Sequence, residues 1–250
     1  MSDRIGIGGK KMALGGISSA LSALKAFSKK VSNTSNNVAN INTAGFKKRT
    51  TSFQESGNLR GVKVSSNQPV HTQGPLIPTN NPLNIAVNGQ GFFRVSLPNG
   101  GTGYSRDGNL KKDSTGRLVT SNGNPIEPEI SIPGNATGVS VSGSGQVSAT
   151  INRQSQAIGQ IELSSFQNSG GLASLGNNLL SASNASGPAV NGIPGTGGLG
   201  TIIQGSIESS NVDIVEESIN LITSSAGYKA NIKSIKAQNE LLGTILDIKE

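Results

Sequence analysis

Residues able to do chemistry are few in this chain and they do not assemble. His71 is the only histidine in 250 residues, and there is no cysteine. A lone imidazole with no thiolate or acidic cluster beside it lacks the donor set a metal requires. A solvent-exposed or hydrogen-bonded histidine is the expectation. A cysteine nucleophile is absent, and no Ser-His-Asp set has supporting context. Glu127 and Glu129 flank Pro128. Paired carboxylates can serve a glycosidase, but a solvated turn accounts for them more simply. Gly89-Gln90-Gly91 opens a G-x-G, yet Phe92-Phe93-Arg94 follows, so the dinucleotide fingerprint fails. Arg106-Asp107-Gly108 spells a short adhesive tripeptide. A turn closed by a local Arg–Asp contact explains it without a receptor. The residues predict no catalysis, no cofactor and no metal.

The patterned elements lie at the two ends. Leu14, Ile17, Leu21, Leu24, Ser28, Val31, Ser35 and Val38 step alternately by three and four. So do Leu221, Ser225, Tyr228, Ile232, Ile235, Asn239, Leu242 and Leu246. Each is a narrow heptad seam, and a helix with one apolar stripe must dock on a partner to be stable. The partners at hand are the other end of the chain and copies of the same ends. Val215, Ile219, Ile222, Ile245 and Ile248 widen the second stripe and suggest more than one partner helix. Asn33, Asn36, Asn37, Asn40 and Asn42 crowd the end of helix one. These amides compete with the helix for backbone groups. They fit a fraying end with Gly45 as a turn, or amides bonding across a helix–helix interface.

Composition and charge narrow the class. With 34 Gly, 33% hydrophobic and 3% aromatic residues, one large core is poorly supplied. Several small cores, or a core completed by self-association, fit better. The net charge of +7 divides into +9 over residues 1–63, zero over 64–210 and −2 over 211–250. Basic and mildly acidic ends can attract one another. A nucleic-acid arm is disfavoured, because Lys25, Lys29 and Lys30 sit on the patterned helix without a set of stacking aromatics. Residues 10–27 imitate a signal peptide, but Lys25 and Lys29 interrupt the apolar run and no clear cleavage site follows. No stretch approaches the roughly 20 apolar residues of a membrane span.

The sequence predicts an α+β fold: N- and C-terminal helices in a coiled-coil-like layer, with a central mainly-β domain. Residues 1–45 form an N-terminal helical assembly segment, disordered in isolation over 1–11 and helical from about Met12 to Asn40. Residues 46–82 form an extended connector, where Pro69, Pro75, Pro78 and Pro82 exclude a helix. Residues 83–170 form the β domain, with strand candidates at 83–87, 92–95, around Tyr104, 117–120, 139–141, 146–150 and 158–166. Asn88-Gly89 and Asn122-Gly123 suit hairpin turns with two positive-φ positions. Residues 171–210 read as a Gly/Ser/Asn-rich loop and return connector, most mobile over 192–200. Residues 211–250 form the C-terminal helical assembly segment, capped by Asn211 or Asp213 with Glu216 and Glu217 in its first turns.

Four separated motifs carry a family resemblance. Asn36-Asn-Val-Ala-Asn-Ile-Asn-Thr-Ala-Gly-Phe-Lys47 resembles the N-terminal motif of bacterial flagellar rod and hook proteins. Asn84-Ile-Ala-Val-Asn-Gly-Gln-Gly-Phe-Phe93 is similar to the family's central segment, as is Tyr104-Ser-Arg-Asp-Gly-Asn109 with Gly116-Arg-Leu-Val-Thr120 after it. Gly205-Ser-Ile-Glu-Ser-Ser-Asn-Val-Asp213 and the following helix resemble the C-terminal motif. The order is right and the span runs from about residue 14 to 249. Two departures stand out: Ala44 replaces a residue that is often Pro, and Phe53 to Val70 is short, with a hook-like Gly61-Val-Lys-Val64.

The resemblance implies a non-enzymatic subunit that polymerises head-to-tail into a helical tube transmitting torque and forming the export channel. Its terminal helices would pack as an inner coiled-coil layer and order on assembly, with the β domain outside. Length and the run from Ser131-Ile-Pro133 to Gly159-Gln-Ile-Glu-Leu163 point to the distal part of the rod. A proximal rod or short hook-like member is the alternative. From another class, a secreted adhesin with a helical stalk is the rival. The implied partners are copies of itself, other rod and hook proteins, the surrounding ring bushing and the flagellar type III export apparatus, with no nucleic acid and no membrane insertion. The implied location is the periplasm-spanning basal body, reached without a cleaved signal peptide. The expected assembly interface comprises Leu14, Ile17, Leu21, Leu24, Val31, Asn36, Asn37, Val38, Asn40, Leu221, Tyr228, Ile232, Ile235, Asn239, Leu242 and Leu246.

Overall fold

The computed structural model describes residues 3–57 and 61–247, with side chains over 15–57 and 61–244. The chain forms two compact units. The first contains Met1–Ala39, Arg49–Pro69 and Asp213–Glu250. The second contains Asn40–Lys48 and Val70–Val212.

Unit 1 is built from α1 (Asp3–Ala39), the strands β1 (Arg49–Glu55) and β2 (Val62–Pro69), and α2 (Ile214–Asp247). At 1.5 Å per residue each helix is about 50 Å long. The two helices pack against one another. Helix α1 begins at Asp3, nine residues before the expected Met12. Asp213 is the N-cap of α2: its Oδ1 accepts the N–H groups of Val215 at 2.8 Å and Glu216 at 3.1 Å. Glu216 and Glu217 in the first turn meet the positive end of the helix dipole. Asn211, the other expected cap, instead bonds the Lys48 N–H and the Val70 carbonyl within unit 2. Strands β1 and β2 form an antiparallel hairpin with a bulge between Ser52 and Phe53. The Phe53 ring meets Phe27 of α1 edge-to-face at 5.7 Å.

Unit 2 is antiparallel throughout its described strands. They run β3 (Leu76–Pro78), β4 (Ile85–Asn88), β5 (Phe92–Ser96), β6 (Thr102–Ser105), β7 (Lys111–Lys112), β8 (Leu118–Val119), β9 (Ile126–Glu127), β10 (Gly138–Val141), β11 (Gln146–Ile151), β12 (Gln154–Gln160), β13 (Leu163–Ser165), β14 (Ala173–Gly176), β15 (Leu179–Ser181), β16 (Val190–Gly192), β17 (Thr201–Gln204) and β18 (Ser206–Glu208). The largest sheet is ordered β14-β15-β6-β5-β13-β16, with β9 also paired to β5. Strands β10, β11 and β12 form a second sheet, and β17 with β4 and β18 with β3 form two-stranded ladders. Two separate apolar clusters fill the unit. The larger includes Ile85, Val87, Phe93, Val95, Leu110 and Leu163, and the smaller is Phe92, Tyr104 and Leu172. The larger cluster is mainly aliphatic, and aromatic rings concentrate in the smaller one.

Three local expectations change. Residues 171–210 hold five strands, β14 to β18, so the Gly/Ser/Asn-rich stretch is a set of ladders and not a loop. Strand β14 pairs with β15, while β15 to β18 pair with strands earlier in the chain, and each of the five is only three or four residues long. The expected strand 158–166 breaks at Ile161, whose N–H bonds the Gly145 carbonyl. Among the described residues, consecutive positive-φ residues lie at Asn152-Arg153, Gly176-Asn177-Asn178 and Gly197-Gly198. At Asn88-Gly89 and Asn122-Gly123 only the glycine is positive. Asparagine tolerates the left-handed region well enough to supply such a turn without glycine.

Candidate assembly surface

Helices α1 and α2 meet in one continuous antiparallel register. Asn37 donates from Nδ2 to Glu217 Oε1 at 2.9 Å. The Phe27 ring lies over Gly227, where an added Cβ would sit 2.6 Å from Cζ. The Gln238 amide lies over Gly16, where a Cβ would sit 2.5 Å from Oε1. The two residue numbers in each of these three pairs add to 254. Ala20, Thr34, Asn37, Glu217 and Ser224 are all buried.

This seam runs one residue ahead of the apolar seams expected from the sequence. Gly16, Phe27 and Asn37 take the places assigned to Ile17, Ser28 and Val38, and Gly227 and Gln238 those assigned to Tyr228 and Asn239. One residue is a rotation of 100° about a helix. Glycines and a hydrogen-bonded amide allow close approach, and the larger apolar side chains are left to the flanks. Ile17, Leu24, Val31, Val38, Asn40, Ile232, Ile235 and Leu242 are half-buried, whereas Leu21, Asn36, Leu221, Tyr228 and Asn239 are exposed. The side chains of Leu14, Leu246, Ile245 and Ile248 lie outside the described residues. Val215, Ile219, Ile222 and Leu241 are 57–68% exposed. Leu21, Leu24, Lys25, Ser28, Lys29 and Ser32 line an open groove with Tyr228.

The asparagines at the end of α1 divide their roles. Asn37, 1% exposed, bonds across the helix pair and also takes both backbone groups of Arg49: Nδ2 donates to its carbonyl at 3.0 Å and Oδ1 accepts its N–H at 2.9 Å. Asn33 donates to Thr51 Oγ1 and, at 2.7 Å, to Asn67 Oδ1, holding the β1–β2 hairpin to α1. Of the two readings of this Asn-rich end, the cross-helix amide describes Asn37. A fully polar pairing site at Glu217 escaped sequence reasoning; its signal was a carboxylate one residue off an apolar seam.

Within unit 2, residues from all four motifs meet at one buried charge cluster. Glu208 is fully buried. Its Oε1 accepts from Lys47 Nζ and from the Gly74 N–H, and its Oε2 from Arg106 Nη1 at 3.3 Å. Lys47 also donates to the Thr72 carbonyl and Arg106 to the Gly89 carbonyl, each at 2.8 Å. Arg106 sits 5.2 Å over the Phe92 ring, whose edge meets His71 at 5.4 Å. Gly45 donates its N–H to the Glu208 carbonyl with φ +68°, and a Cβ there would lie 2.6 Å from the Arg106 and Asp107 backbone. Burial lowers the pKa of both Lys47 and Arg106, against the attraction of Glu208. Burial, then the fields of Lys47 and Arg106, push His71 down to about 4, with the Ser169 backbone opposing.

The other candidate chemistries dissolve on this geometry. Arg106 and Asp107 are 4% and 7% exposed, and Arg106 pairs with Glu208, not with Asp107. The tripeptide is part of a core and offers nothing to a receptor. Glu127 is held by Arg94 at 3.1 Å and Glu129 lies 3.9 Å from Arg117, so the two carboxylates face different partners. Gly89-Gln90-Gly91 links β4 to β5, a strand-to-strand turn with no helix terminus to hold a phosphate. His71 is half-buried against Phe92 and not solvent-exposed.

Comparison with known proteins agrees with this arrangement. Three family descriptions match in chain order: the flagella basal body rod protein over residues 17–47, the flagellar hook protein FlgE/F/G D1 domain over 86–149, and the flagellar basal body rod FlgEFG protein C-terminal region over 203–248. The class is that of flagellar rod and hook proteins. The flagellar basal-body rod protein FlgG of Buchnera aphidicola subsp. Acyrthosiphon pisum is 38% identical over 232 residues, covering 83% of this chain and 89% of the relative. FlgG of Bacillus subtilis is 33% identical over 258 residues, covering 92% and 97%. The flagellar hook protein FlgE of Escherichia coli is 39% identical, but over 47% of this chain and only 29% of its own length. The chain belongs to the flagellar basal-body rod protein family, whose members are structural and non-enzymatic. Among the described residues no helix is long and apolar enough to cross a membrane.

Proposed function

We propose that this chain is a subunit of the distal part of the flagellar rod and polymerises head-to-tail through its terminal helices into a helical tube. The observation that carries this is the division of labour on α2. Against α1 it buries Glu217 and Ser224, seats Gly227 under Phe27 and half-buries Ile232, Ile235 and Leu242, while Val215, Ile219, Ile222 and Leu241 stand exposed. A helix that docks on its own chain along one side and keeps a second apolar stripe outward is built for neighbours outside that chain. Near full-length similarity to FlgG relatives, against a 29% share of the hook protein, favours the rod over a hook-like role. Arg106 and Asp107 are buried, so the tripeptide lends no support to an adhesin.

The assembly surface in this reading is the expected terminal set other than Asn37, whose amide is spent within its own chain, and it includes Ile235 and Leu242. The partners are copies of itself, neighbouring rod and hook proteins, and the ring bushing around the rod. The chain reaches the periplasm-spanning rod through the flagellar type III export apparatus without a cleaved signal peptide, and its helices order on assembly. The test is electron microscopy of basal bodies from a strain lacking the chain. Loss of the distal rod and hook is expected; an intact rod and hook would overturn the reading.

A further inference from the structure

Unit 1 carries an open groove of about 540 Å³ beside α1. Leu21, Leu24 and Tyr228 give it apolar surface, and Lys25 and Lys29 give it two positive charges. Leu21 and Tyr228 are 47% and 37% exposed. A groove of this kind suits an amphipathic helix that carries acidic residues beside its apolar stripe.

The chain itself holds such a helix. Val215, Ile219 and Ile222 fall at i, i+4 and i+7 on the first turns of α2 and are 65%, 57% and 68% exposed. Glu216 lies at the edge of this stripe and Asp213 at its start. At 100° per residue, the stripe stands about 180° around α2 from Glu217 and Ser224, which face α1. It therefore points away from its own α1 and cannot enter its own groove. The middle of α2 is excluded as occupant, because Lys229, Lys233 and Lys236 would meet Lys25 and Lys29. The lengths agree: Val215 to Ile222 rises about 10 Å, and Leu21 to Ser32 about 16 Å.

We infer that the groove on one subunit receives the first turns of α2 from a second copy of this chain. Val215, Ile219 and Ile222 cover Leu21, Leu24 and Tyr228, and Glu216 faces Lys25 and Lys29. Groove and stripe are different surfaces of one molecule, so the contact is head-to-tail and propagates without closing on itself. This rests on the rod reading above and gives one of its contacts.

The chain has no cysteine, so an introduced pair reports without background. Ser28→Cys and Ile219→Cys variants are co-expressed in one flagellated strain, and purified basal bodies are treated with a short bis-maleimide. A crosslinked heterodimer is expected, with none when Leu241→Cys replaces Ile219→Cys. Rods containing both variants but no heterodimer, or an equal yield with Leu241→Cys, would overturn the pairing and leave the rod reading standing. Absence of the wild-type chain from basal bodies would overturn the rod reading itself, and this pairing with it. Independently of crosslinking, Lys25→Glu/Lys29→Glu is expected to cut rod incorporation at least tenfold, and adding Glu216→Lys to restore it several-fold. Normal incorporation of the double reversal would overturn the pairing.

Discussion

Asn37 and Glu217, 180 residues apart, bond amide to carboxylate at 2.9 Å inside the helix pair, where they are 1% and 4% exposed. Asn37 also holds both backbone groups of Arg49, so one side chain joins α1, α2 and the start of β1. Asn37→Asp keeps the shape but sets a second carboxylate against Glu217, and two buried carboxylates at this distance cannot both ionise. Leaving such groups unsatisfied costs roughly 1–3 kcal/mol. Asn37→Asp is expected to lower the urea midpoint for rod disassembly, and Asn37→Asp/Glu217→Gln to recover most of the loss. A double variant no better than the single would show that the pair is not coupled.

Gly227 should tolerate even alanine poorly. Alanine raises intrinsic helix propensity by about 1 kcal/mol, but its Cβ would lie 2.6–3.0 Å from three atoms of the Phe27 ring. That ring is held at its other side by Phe53, so overpacking of about 1–3 kcal/mol opposes the gain. Gly227→Ala is expected to reduce rod incorporation, and Phe27→Leu added to it to restore incorporation. If propensity governed, Gly227→Ala alone would incorporate better than wild type.

The contrast between these helices and the β unit shows what a sequence discloses. Heptad spacing revealed both helices, because a 3.6-residue period survives in any linear reading. It placed the seam one residue off, because the spacing of Leu14 to Val38 marks the apolar stripe while Gly16, Phe27 and Asn37 make the contact. Strands such as β4 and β5 were legible from compact apolar runs. Strands β14 to β18 were not, since each is only three or four residues long and is held by ladder bonds that any residue except proline can make. The Lys47–Glu208–Arg106 cluster lay hidden for another reason. Its members are 161 and 102 residues from Glu208, and only the chain's return past Gly74 brings them together.

The charge cluster makes an ordered prediction. Two cations share one carboxylate at Glu208. Glu208→Gln strands both cations in a buried site, and breaking such a pair costs roughly 3–5 kcal/mol. Lys47→Met leaves Arg106 and Glu208 as a neutral pair and retains an apolar stem, so its cost is expected to be less than half of that. Thermal unfolding of the purified subunit should rank wild type above Lys47→Met and Lys47→Met well above Glu208→Gln. The reverse order would mean that Lys47, not Glu208, centres the cluster.

His71 gives the fold an acid limit. In the unfolded chain an imidazole titrates near 6.5, whereas burial and the neighbouring Lys47 and Arg106 hold His71 at about 4. The folded form therefore favours the neutral ring, and below 6.5 the unfolded chain binds more protons than the folded one. The stabilisation is complete above pH 6.5, declines as pH falls toward 4, and is gone below it, a total on the order of 3 kcal/mol. Carboxylates titrate near the lower end of that window, so the comparison is with His71→Gln, which removes the only histidine and leaves every carboxylate in place. Plotting the difference in unfolding free energy between wild type and His71→Gln against pH isolates this one group. The difference should be flat above pH 6.5 and shift against wild type between pH 6.5 and 4. A difference that stays constant across that window would place the folded-state pKa of His71 near its ordinary value and remove the acid limit.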